Sequence, residues 1–558
     1  IVKKCSEWGI LVPVIPKVVW YQAYEGALVL DPKTGIYLDN PTACNDYGSL
    51  YPSIMKSENY SHDSKVWTME YDLTGELVAE TGDKNQEGEF TYDNLPEYEY
   101  ETMEYDMYTW TINPEKPTAK AKKIISGRKV CRFVQTDLDD TDRAVMPAIL
   151  TEILGARKAT RKLIPHQTSD FMKQVLNQRQ LGYKIVANSL YGGCGAKTSA
   201  FYDIDIAACT TATGQILLHY AKAVVEECYG DATYDSPTYG KVATKAEYIY
   251  GDTDSVFYTF NFETLAGEPI RGQQALEMTI ELAETVGELS TMFLKPPHDL
   301  EYEKTYMPFA IMSKKRYVGI LFSTDPTKGY RDEKGLVLRR RDNAPIVKDI
   351  YGGVIDLIMT NPNLKSAITF LDEKLNAVAS GNCPEHKLII SKSLRSEYKN
   401  PKSISHKVLA DRISERDPGN TPKSGDRLAY LYVIPKNKKA LQGDRIETAA
   451  YIAEANLKID YSFYITNQIM TPLQQLFALA LENIWKMQGK YQVNIRKFNR
   501  EVAKFTATIH DPAKLKKKIE QLRHGEIKKL LFNKHLIKTT NAGNNQAPIT
   551  SFFTKRLT

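Results

Sequence analysis

Hydrophobic and polar positions divide the chain into stretches of different period. Tyr248, Ile249 and Tyr250 precede the polar run Gly251-Asp252-Thr253-Asp254, and Val256, Phe257 and Tyr258 follow it. Two β-branched and aromatic runs meeting at so short a turn predict a β-hairpin. Residues 24–37 repeat the scheme, with Asp31-Pro32-Lys33-Thr34-Gly35 as the turn between two strands. A further strand ends at Asp46, and Pro52 suits the start of the helix that follows Gly48 and Ser49. Residues 1–23 read as the end of a helix, then extended segments broken at Pro13 and Pro16. Helical patterns occupy 143–195, as a pair joined near Pro165 to Ser169, then Ala207–Tyr229 and Gln274–Phe293. Strands are predicted around Lys314–Gly319 and from Gly335 to Arg341, and residues 346–538 read as mostly helical. The fold class is mixed α/β (α+β).

Residues 57–142 depart from this scheme. Between Asp63 and Glu115 fifteen acidic residues stand against two lysines, among many tyrosines and interrupting Gly and Pro. This composition predicts an inserted surface module, from which Lys120, Lys122, Lys123, Arg128 and Lys129 lead back to the main body. The opposite imbalance lies between Ile484 and Lys538, with fifteen Lys/Arg against four acids. Such a stretch is either a solvated helical face or a track for a phosphate backbone. A length of 558 residues exceeds what one core holds, so several domains are expected. No apolar run reaches membrane-spanning length and no signal peptide opens the chain. The seven cysteines are scattered without a C-x-x-C pair, which argues against zinc, iron–sulfur and disulfide frameworks and for a reducing compartment. The chain opens on Ile1, as a piece of a longer protein would. From Thr539 it is rich in Asn, Thr and Gly, which predicts disorder. Yet Ile549, Phe552 and Phe553 close it without a core to join, and they suit a partner's pocket.

Several of these stretches can carry chemistry. Aspartate is common in turns because it bonds its own backbone, which accounts for one of Asp252 and Asp254. Two carboxylates at i and i+2 of an extended chain repel unless a cation sits between them. The strand-to-helix junction after Asp46 can offer backbone amides to an anion, or be a plain connection. In the helical pair, Arg157 and Arg161 share one face, and Lys184, Asn188 and Tyr191 share another. An antiparallel arrangement aims them at a common space, although a solvated face is the default for each alone. Asn188, Ser189 and Gly192 are poor mid-helix residues on propensity. On the strand at 314–319, Lys315 and Tyr317 share a face, suited either to a nucleic-acid backbone or to guarding a sheet edge.

Three stretches resemble the family B DNA polymerases: Asp46–Ile54 (DYGSLYPSI) its first palm motif, Lys184–Gly192 (KIVANSLYG) its fingers motif, and Tyr250–Val256 (YGDTDSV) its second palm motif. Their order and spacing make the match specific. Tyr24–Ala27, Lys314–Tyr317, Arg340–Asn343, Gly425–Tyr430 and Ile459–Tyr461 extend it, so that it runs from residue 5 or so to 535, apart from the insertion. The resemblance is closest to delta-type replicative enzymes, including those of large DNA viruses, and the insertion and compact C-terminus point to the viral group.

The resemblance implies a right-hand architecture: palm at 1–56 and 196–345, the acidic insertion at 57–142, fingers at 143–195, a mostly helical thumb at 346–538, and a tail at 539–558. It implies template-directed DNA synthesis in replication, in which a primer 3′-hydroxyl attacks the α-phosphate of a dNTP. Asp46 and Asp254 would bridge two Mg²⁺ ions, for which Mn²⁺ can substitute, with Asp252 a third carboxylate of lesser role. Tyr47, Gly48, Ser49, Leu50, Tyr51, Arg157, Arg161, Lys184, Asn188 and Tyr191 would bind the nucleotide, Tyr51 stacking under the sugar to exclude a 2′-hydroxyl and Tyr191 packing on the nascent pair. Tyr24, Gly26, Gly192, Thr253, Lys314, Lys315, Arg316, Tyr317, Arg340 and Arg341 would contact primer–template DNA. Gln546, Ile549, Phe552 and Phe553 are similar to the motif that docks polymerases on a sliding clamp. The implied location is the nucleus or an intracellular viral replication site. Three departures stand out. No acidic exonuclease motif is present, so the chain should not proofread by itself; the exonuclease domain would precede residue 1. The cysteine-rich C-terminal module of cellular delta enzymes is missing. Arg161 stands where Lys is usual, a fork in place of a point charge. The alternatives are a non-catalytic polymerase-like scaffold, against which the intact carboxylates argue, and an RNA-making transferase, against which Tyr51 argues.

Overall fold

In the computed structural model the chain is described at residues 1–12, 23–112, 114, 121–135, 143–339, 342–360, 364–435, 437 and 439–543. It forms two compact units. One comprises Ile1–Lys33, Asp39–Met307 and Leu321–Tyr330; the other comprises Thr34–Leu38, Pro308–Ile320 and Arg331–Thr558.

The elements begin with α1 (Val2–Glu7), β1 (Gly35–Tyr37), β2 (Thr42–Tyr47) and α2 (Leu50–Ser57). The inserted stretch supplies β3 (Lys65–Tyr71), β4 (Leu77–Gly82), β5 (Glu99–Thr111) and β6 (Lys122–Gln135). Three long helices follow, α3 (Val145–Leu163), α4 (Asp170–Gly195) and α5 (Ile204–Tyr229). Then come β7 (Ala232–Ser236), β8 (Gly240–Thr244), β9 (Glu247–Asp252), β10 (Ser255–Thr259), α6 (Gln273–Met292), β11 (Leu300–Ser313), β12 (Arg316–Phe322) and β13 (Tyr330–Lys334).

In the first unit β9 and β10 form the predicted hairpin, β10 pairs with β2, and β2 pairs with the opening half of β11, all antiparallel. The strands are apolar on both faces because they are covered: Tyr250, Phe257 and Tyr258 are fully buried. Much of the cover is α5. Asp203 caps its N-terminus by accepting from the amides of Asp205 and Ile206, and small residues (Ala207, Ala208, Gly214, Ala221) let it lie close to its neighbours. The pattern at 24–34 does not become a strand. Its backbone runs beside β9, with amide bonds from Leu30 to Gly251 O (2.9 Å) and from Lys33 to Ile249 O (2.8 Å), but only isolated bridges form. Pro32 lacks the amide that a ladder needs.

The insertion is an antiparallel sheet in the order β4-β3-β6-β5. It is bound to the start of α5 by a buried charge network. Lys65 of β3 donates to Asp203 (2.5 Å) and Asp205 (2.9 Å), while Lys129 of β6 pairs with Asp205 (2.9 Å) and Glu70 (3.0 Å). Tyr105 of β5 donates to the same Asp205 carboxylate at 2.9 Å. The module is therefore acidic on its outside and cationic where it docks.

The second unit begins its sheet with the closing half of β11, which pairs with β1. Lys314 and Lys315 form the turn into β12 rather than a strand, and Lys315 is left-handed (φ +61). Lys315 and Tyr317 consequently do not share a strand face. The predicted strand from Gly335 is instead a single 3₁₀ turn at Val337–Arg339. Gly335 explains the break: its φ is +67, and a Cβ there would lie 1.9 Å from the Lys315 carbonyl oxygen. Helices beyond Pro345 enclose a large apolar core that includes Ile350, Leu371, Tyr464, Phe477 and Trp485. This part is mostly helical as predicted, but it also holds the three-stranded sheet Ile390–Ser393, Arg427–Tyr432 and Ile446–Glu447. The final helix runs Asn533–Gly543, so the predicted disorder does not begin at Thr539. Gln546, Ile549, Phe552 and Phe553 lie outside the described residues, as do Arg340 and Arg341. Among the described residues no helix is long and apolar enough to cross a membrane.

The docking network makes a pH prediction. Burial alone would raise the Asp205 carboxyl, but Lys65 and Lys129 hold it down at about 2. Its unfolded value is roughly 3.9, so the stabilisation is complete above about pH 4 and is lost as pH falls towards 2. Asp205→Asn should cost roughly 3–5 kcal/mol of local stability by leaving Lys65 and Lys129 under-compensated. Amide exchange in β3 and β6 measures this at pH 6 and pH 3. An equal pH response in wild type and variant would refute the assignment.

Candidate active site

The hairpin turn sets the geometry. Ser255 is paired with Asp46 on one side and Asp252 on the other, which brings the turn of β9–β10 alongside the end of β2. The Tyr47 amide donates to the Asp254 carbonyl at 2.8 Å and so pins the turn to β2. Thr253 is left-handed (φ +62), an unfavourable conformation for a β-branched residue; its amide is held by the Leu28 carbonyl at 3.0 Å.

Asp46 and Asp254 are both largely withdrawn from water. Burial first, and then the charges of Asp254 and Glu303, push the Asp46 carboxyl up to about 8, opposed by Lys304 and Lys184. Burial likewise raises Asp254, with Asp252 and Glu303 adding to the effect and Lys184 opposing it. Asp252 accepts from the Tyr250 hydroxyl at 3.0 Å and from Thr253 at 3.2 Å. Among the described residues no three His, Cys, Asp or Glu side chains gather into a metal-binding group. The fit to a metal rests on the pair: two partly desolvated oxygen-donor carboxylates, each raised by neighbouring acids, suit a hard divalent cation.

The junction after β2 is tighter than its sequence implied. Ser49 is left-handed (φ 53), and the Gly48 amide is taken by the Asp299 carbonyl at 2.9 Å. With the Tyr47 amide also used, the amides that this junction can present are those of Ser49, Leu50 and Tyr51. The side chains of Tyr47 and Leu50 are core groups: both are buried, and the Tyr47 hydroxyl donates to Leu217 O at 2.8 Å. Tyr51 packs its ring on Tyr191 of α4, with centroids 4.4 Å apart, and rests on α5, where a Cβ at Gly214 would lie 3.2 Å from the ring. Burial first, and Asp254 second, push its hydroxyl up to about 12, so this ring borders the carboxylates.

The helices α3 and α4 form the predicted pair. Arg157 donates to Ser49 Oγ at 2.8 Å and to Gln180 at 3.3 Å, and burial first, then Arg161, lowers its pKa. Arg161, Lys184 and Asn188 are exposed. Lys184 is close enough to act on both Asp46 and Asp254. Tyr24 hydrogen-bonds Tyr191. The Glu25 and Gly26 carbonyls accept from Thr211 (2.8 Å) and Gln215 (3.0 Å) of α5, and Gly192 is an exposed position on α4. Lys314, Lys315 and Arg316 belong to the second unit and are exposed, whereas Tyr317 is buried against Phe309 at 5.6 Å. The Tyr317 ring is a packing group and does not offer itself to a nucleic acid.

Two residues escaped the sequence reading. Glu303 and Lys304 form an ion pair (2.8 Å) on β11, and both act on Asp46. Their only signal is the alternation Glu301-Tyr302-Glu303-Lys304 in a strand, which an exposed edge would share.

An antiparallel sheet that sets two facing carboxylates beneath a cationic helix defines a class of site suited to phosphoryl chemistry. The chain belongs to DNA polymerase family B, whose model matches residues 1–480. It is 39% identical to a DNA polymerase of Pyramimonas orientalis virus, over 99% of this chain and 46% of that protein. It is 50% identical to a DNA polymerase of Phaeocystis pouchetii virus, over 55% of this chain and 29% of that protein. The DNA polymerase delta catalytic subunit of Caenorhabditis elegans is 31% identical over 86% of this chain and 38% of that subunit. The chain thus spans less than half the length of these relatives.

The electrostatic coupling is testable directly. Asp254→Asn removes a charge that raises Asp46, so the Asp46 carboxyl should titrate lower, as followed by carboxyl-carbon NMR in metal-free buffer. An unchanged titration would show that the two groups do not face each other.

Proposed function

We propose that the chain is the catalytic core of a replicative DNA polymerase, adding deoxynucleotides to a primer 3′-end under the direction of a template. The observation that carries this reading is the half-buried Asp46–Asp254 pair, on both of which Lys184 acts. In the reaction, the primer 3′-oxygen forms a bond to the α-phosphorus, pyrophosphate leaves with the other electron pair, and the hydroxyl proton passes to solvent. Divalent cations, Mg²⁺ by preference with Mn²⁺ as a substitute, would be held by Asp46 and Asp254, with Asp252 beside them, and would neutralise charge on the attacking and leaving oxygens.

The remaining work falls to the chain itself. Lys184, Arg161 and Asn188, exposed on the helical pair, would meet the triphosphate, and Arg157 holds Ser49 so that the junction amides face the same space. Tyr51 would close the floor under the sugar, where an added 2′-hydroxyl has no room, and Tyr191 keeps that ring in place. Lys314, Lys315 and Arg316 would contact duplex phosphates, which position DNA without reading its sequence. Gln546, Ile549, Phe552 and Phe553 would dock a sliding clamp.

Primer extension on primed DNA with dNTPs and Mg²⁺ tests the reading. Asp46→Asn and Asp254→Asn should each lower the rate by on the order of 10³-fold or more while DNA binding persists. Residual synthesis within tenfold of wild type would overturn the metal assignment, and a folded, DNA-binding wild type that never incorporates would favour the scaffold alternative. Tyr51→Ala should admit ribonucleotides, and unchanged discrimination would remove its gating role. Alanine at both Phe552 and Phe553 should reduce clamp-stimulated synthesis and spare basal synthesis; equal loss of both would refute the tail assignment.

A further inference from the structure

The insertion does more than dock. Strand β3 pairs with β6 only between Lys65–Tyr71 and Arg128–Phe133, so residues before Gly127 pair with β5 alone and form a two-stranded arm. A bulge at Met107/Tyr108 re-aims the arm where it leaves the sheet. Gly127 permits this, since a Cβ there would lie 2.2 Å from the Tyr71 carbonyl oxygen. The arm then reaches the segment at Tyr24. Tyr108 and Ala23 exchange backbone bonds (3.0 and 3.1 Å), the Tyr108 hydroxyl donates to Glu25 at 2.7 Å, and Lys123 donates to the Tyr24 carbonyl at 2.7 Å. Tyr24 in turn bonds Tyr191, which packs on Tyr51. A chain of direct contacts therefore leads from the arm to the candidate active site.

Beyond that anchor the arm changes character. Among its described residues, 108–112 and 121–126, the charged ones are Lys122 and Lys123, in contrast to the acidic sheet behind them. Trp110 is opposite Lys123, one strand step beyond Tyr108 on the same face, and is 52% exposed. Ile112 and Ile125 are exposed on the same face. Lys123 shares the face of Trp110, its ammonium 3.9 Å from the Tyr108 ring centroid, while Lys122 projects from the other face. An exposed indole beside a lysine is a combination on which single-stranded nucleic acid stacks while a phosphate is neutralised.

We propose that the outer β5–β6 arm is a second DNA contact, which takes the single-stranded template by stacking a base on Trp110 with Lys123 of the same face at a phosphate. This rests on the polymerase reading and adds to it a function for the insertion. Continuity with the Tyr24 segment and the local positive charge select a template strand over a protein as the occupant.

Fluorescence anisotropy of the full chain tests it, with one primer–template carrying a long single-stranded template overhang and one blunt duplex of equal length. Trp110→Ala should weaken overhang binding about tenfold relative to the blunt duplex, and Trp110→Phe should restore most of it. Lys123→Gln, which keeps a donor for the Tyr24 carbonyl but loses the charge, should reduce the salt dependence of overhang binding by about 0.7 in log–log slope, one phosphate's share on a single strand. Equal effects on both DNAs, or none, overturn the inference and make the tip a surface for a protein. If the wild type extends primers but Trp110→Ala leaves the overhang preference intact, this inference alone fails. If the wild type neither binds nor extends primed DNA, the polymerase reading fails with it.

Discussion

The confinement of two like charges in a dry place governs this molecule. Asp46 and Asp254 sit at the ends of neighbouring chain segments whose packing partly removes them from water; Asp254 and Glu303 raise Asp46, while Asp252 and Glu303 raise Asp254. Left alone, the pair would relax by turning one carboxylate outward. The backbone prevents this: Tyr47 N–H holds the Asp254 carbonyl, Leu28 holds the Thr253 amide, and Thr253 is kept in a conformation that a threonine avoids. β-pairing around the turn thus keeps the carboxyl groups together, a conflict that a bound proton or a cation relieves. Lys184 and Lys304 resolve part of it, the rest being available to a ligand.

The helix α5 transmits this constraint to the rest of the first unit. Its small residues let Tyr51 rest on Gly214, its middle turn accepts the Tyr47 hydroxyl, and Thr211 and Gln215 hold the Glu25–Gly26 backbone. Its N-terminus receives the insertion through Asp203 and Asp205. One helix therefore fixes the Tyr51 ring, the segment that bonds the arm, and the base of the β3–β6 sheet. A bulky residue on its close-packed face would disturb all three together, because each contact depends on the same short approach.

Much of this was legible in the sequence. The β9–β10 hairpin, the α3–α4 pair and α5 followed from apolar periodicity and turn residues, since local pattern and tertiary burial agree there. Failures came where a single backbone requirement overrode the pattern. Pro32 denied a ladder to residues 24–34, and Gly335 ended a strand early because the Lys315 carbonyl leaves no room for a side chain. The inward ring of Tyr317 and the burial of Tyr47 and Leu50 were hidden because an aromatic beside a functional residue looks the same whether it packs or binds. Glu303 and Lys304 were missed because their effect on Asp46 comes from β11 lying across β2, a non-local pairing that no short motif encodes.

The insertion illustrates the limit of composition as a guide. Its acidity suggests a module that nucleic acid would avoid, yet acidity is a property of the average. The pairing separates the charges: Lys65 and Lys129 are withdrawn at the docking face, carboxylates occupy the sheet exterior, and Lys122 and Lys123 lie in the outer, two-stranded part of the arm. Repulsion between the acidic sheet and a phosphate backbone would hold DNA away from the body of the module and leave the outer β5–β6 pairs as its favourable approach. Over distances longer than roughly 8–10 Å that repulsion is screened at physiological salt, so it shapes only the near field, the range in which the outer arm and a single strand would meet.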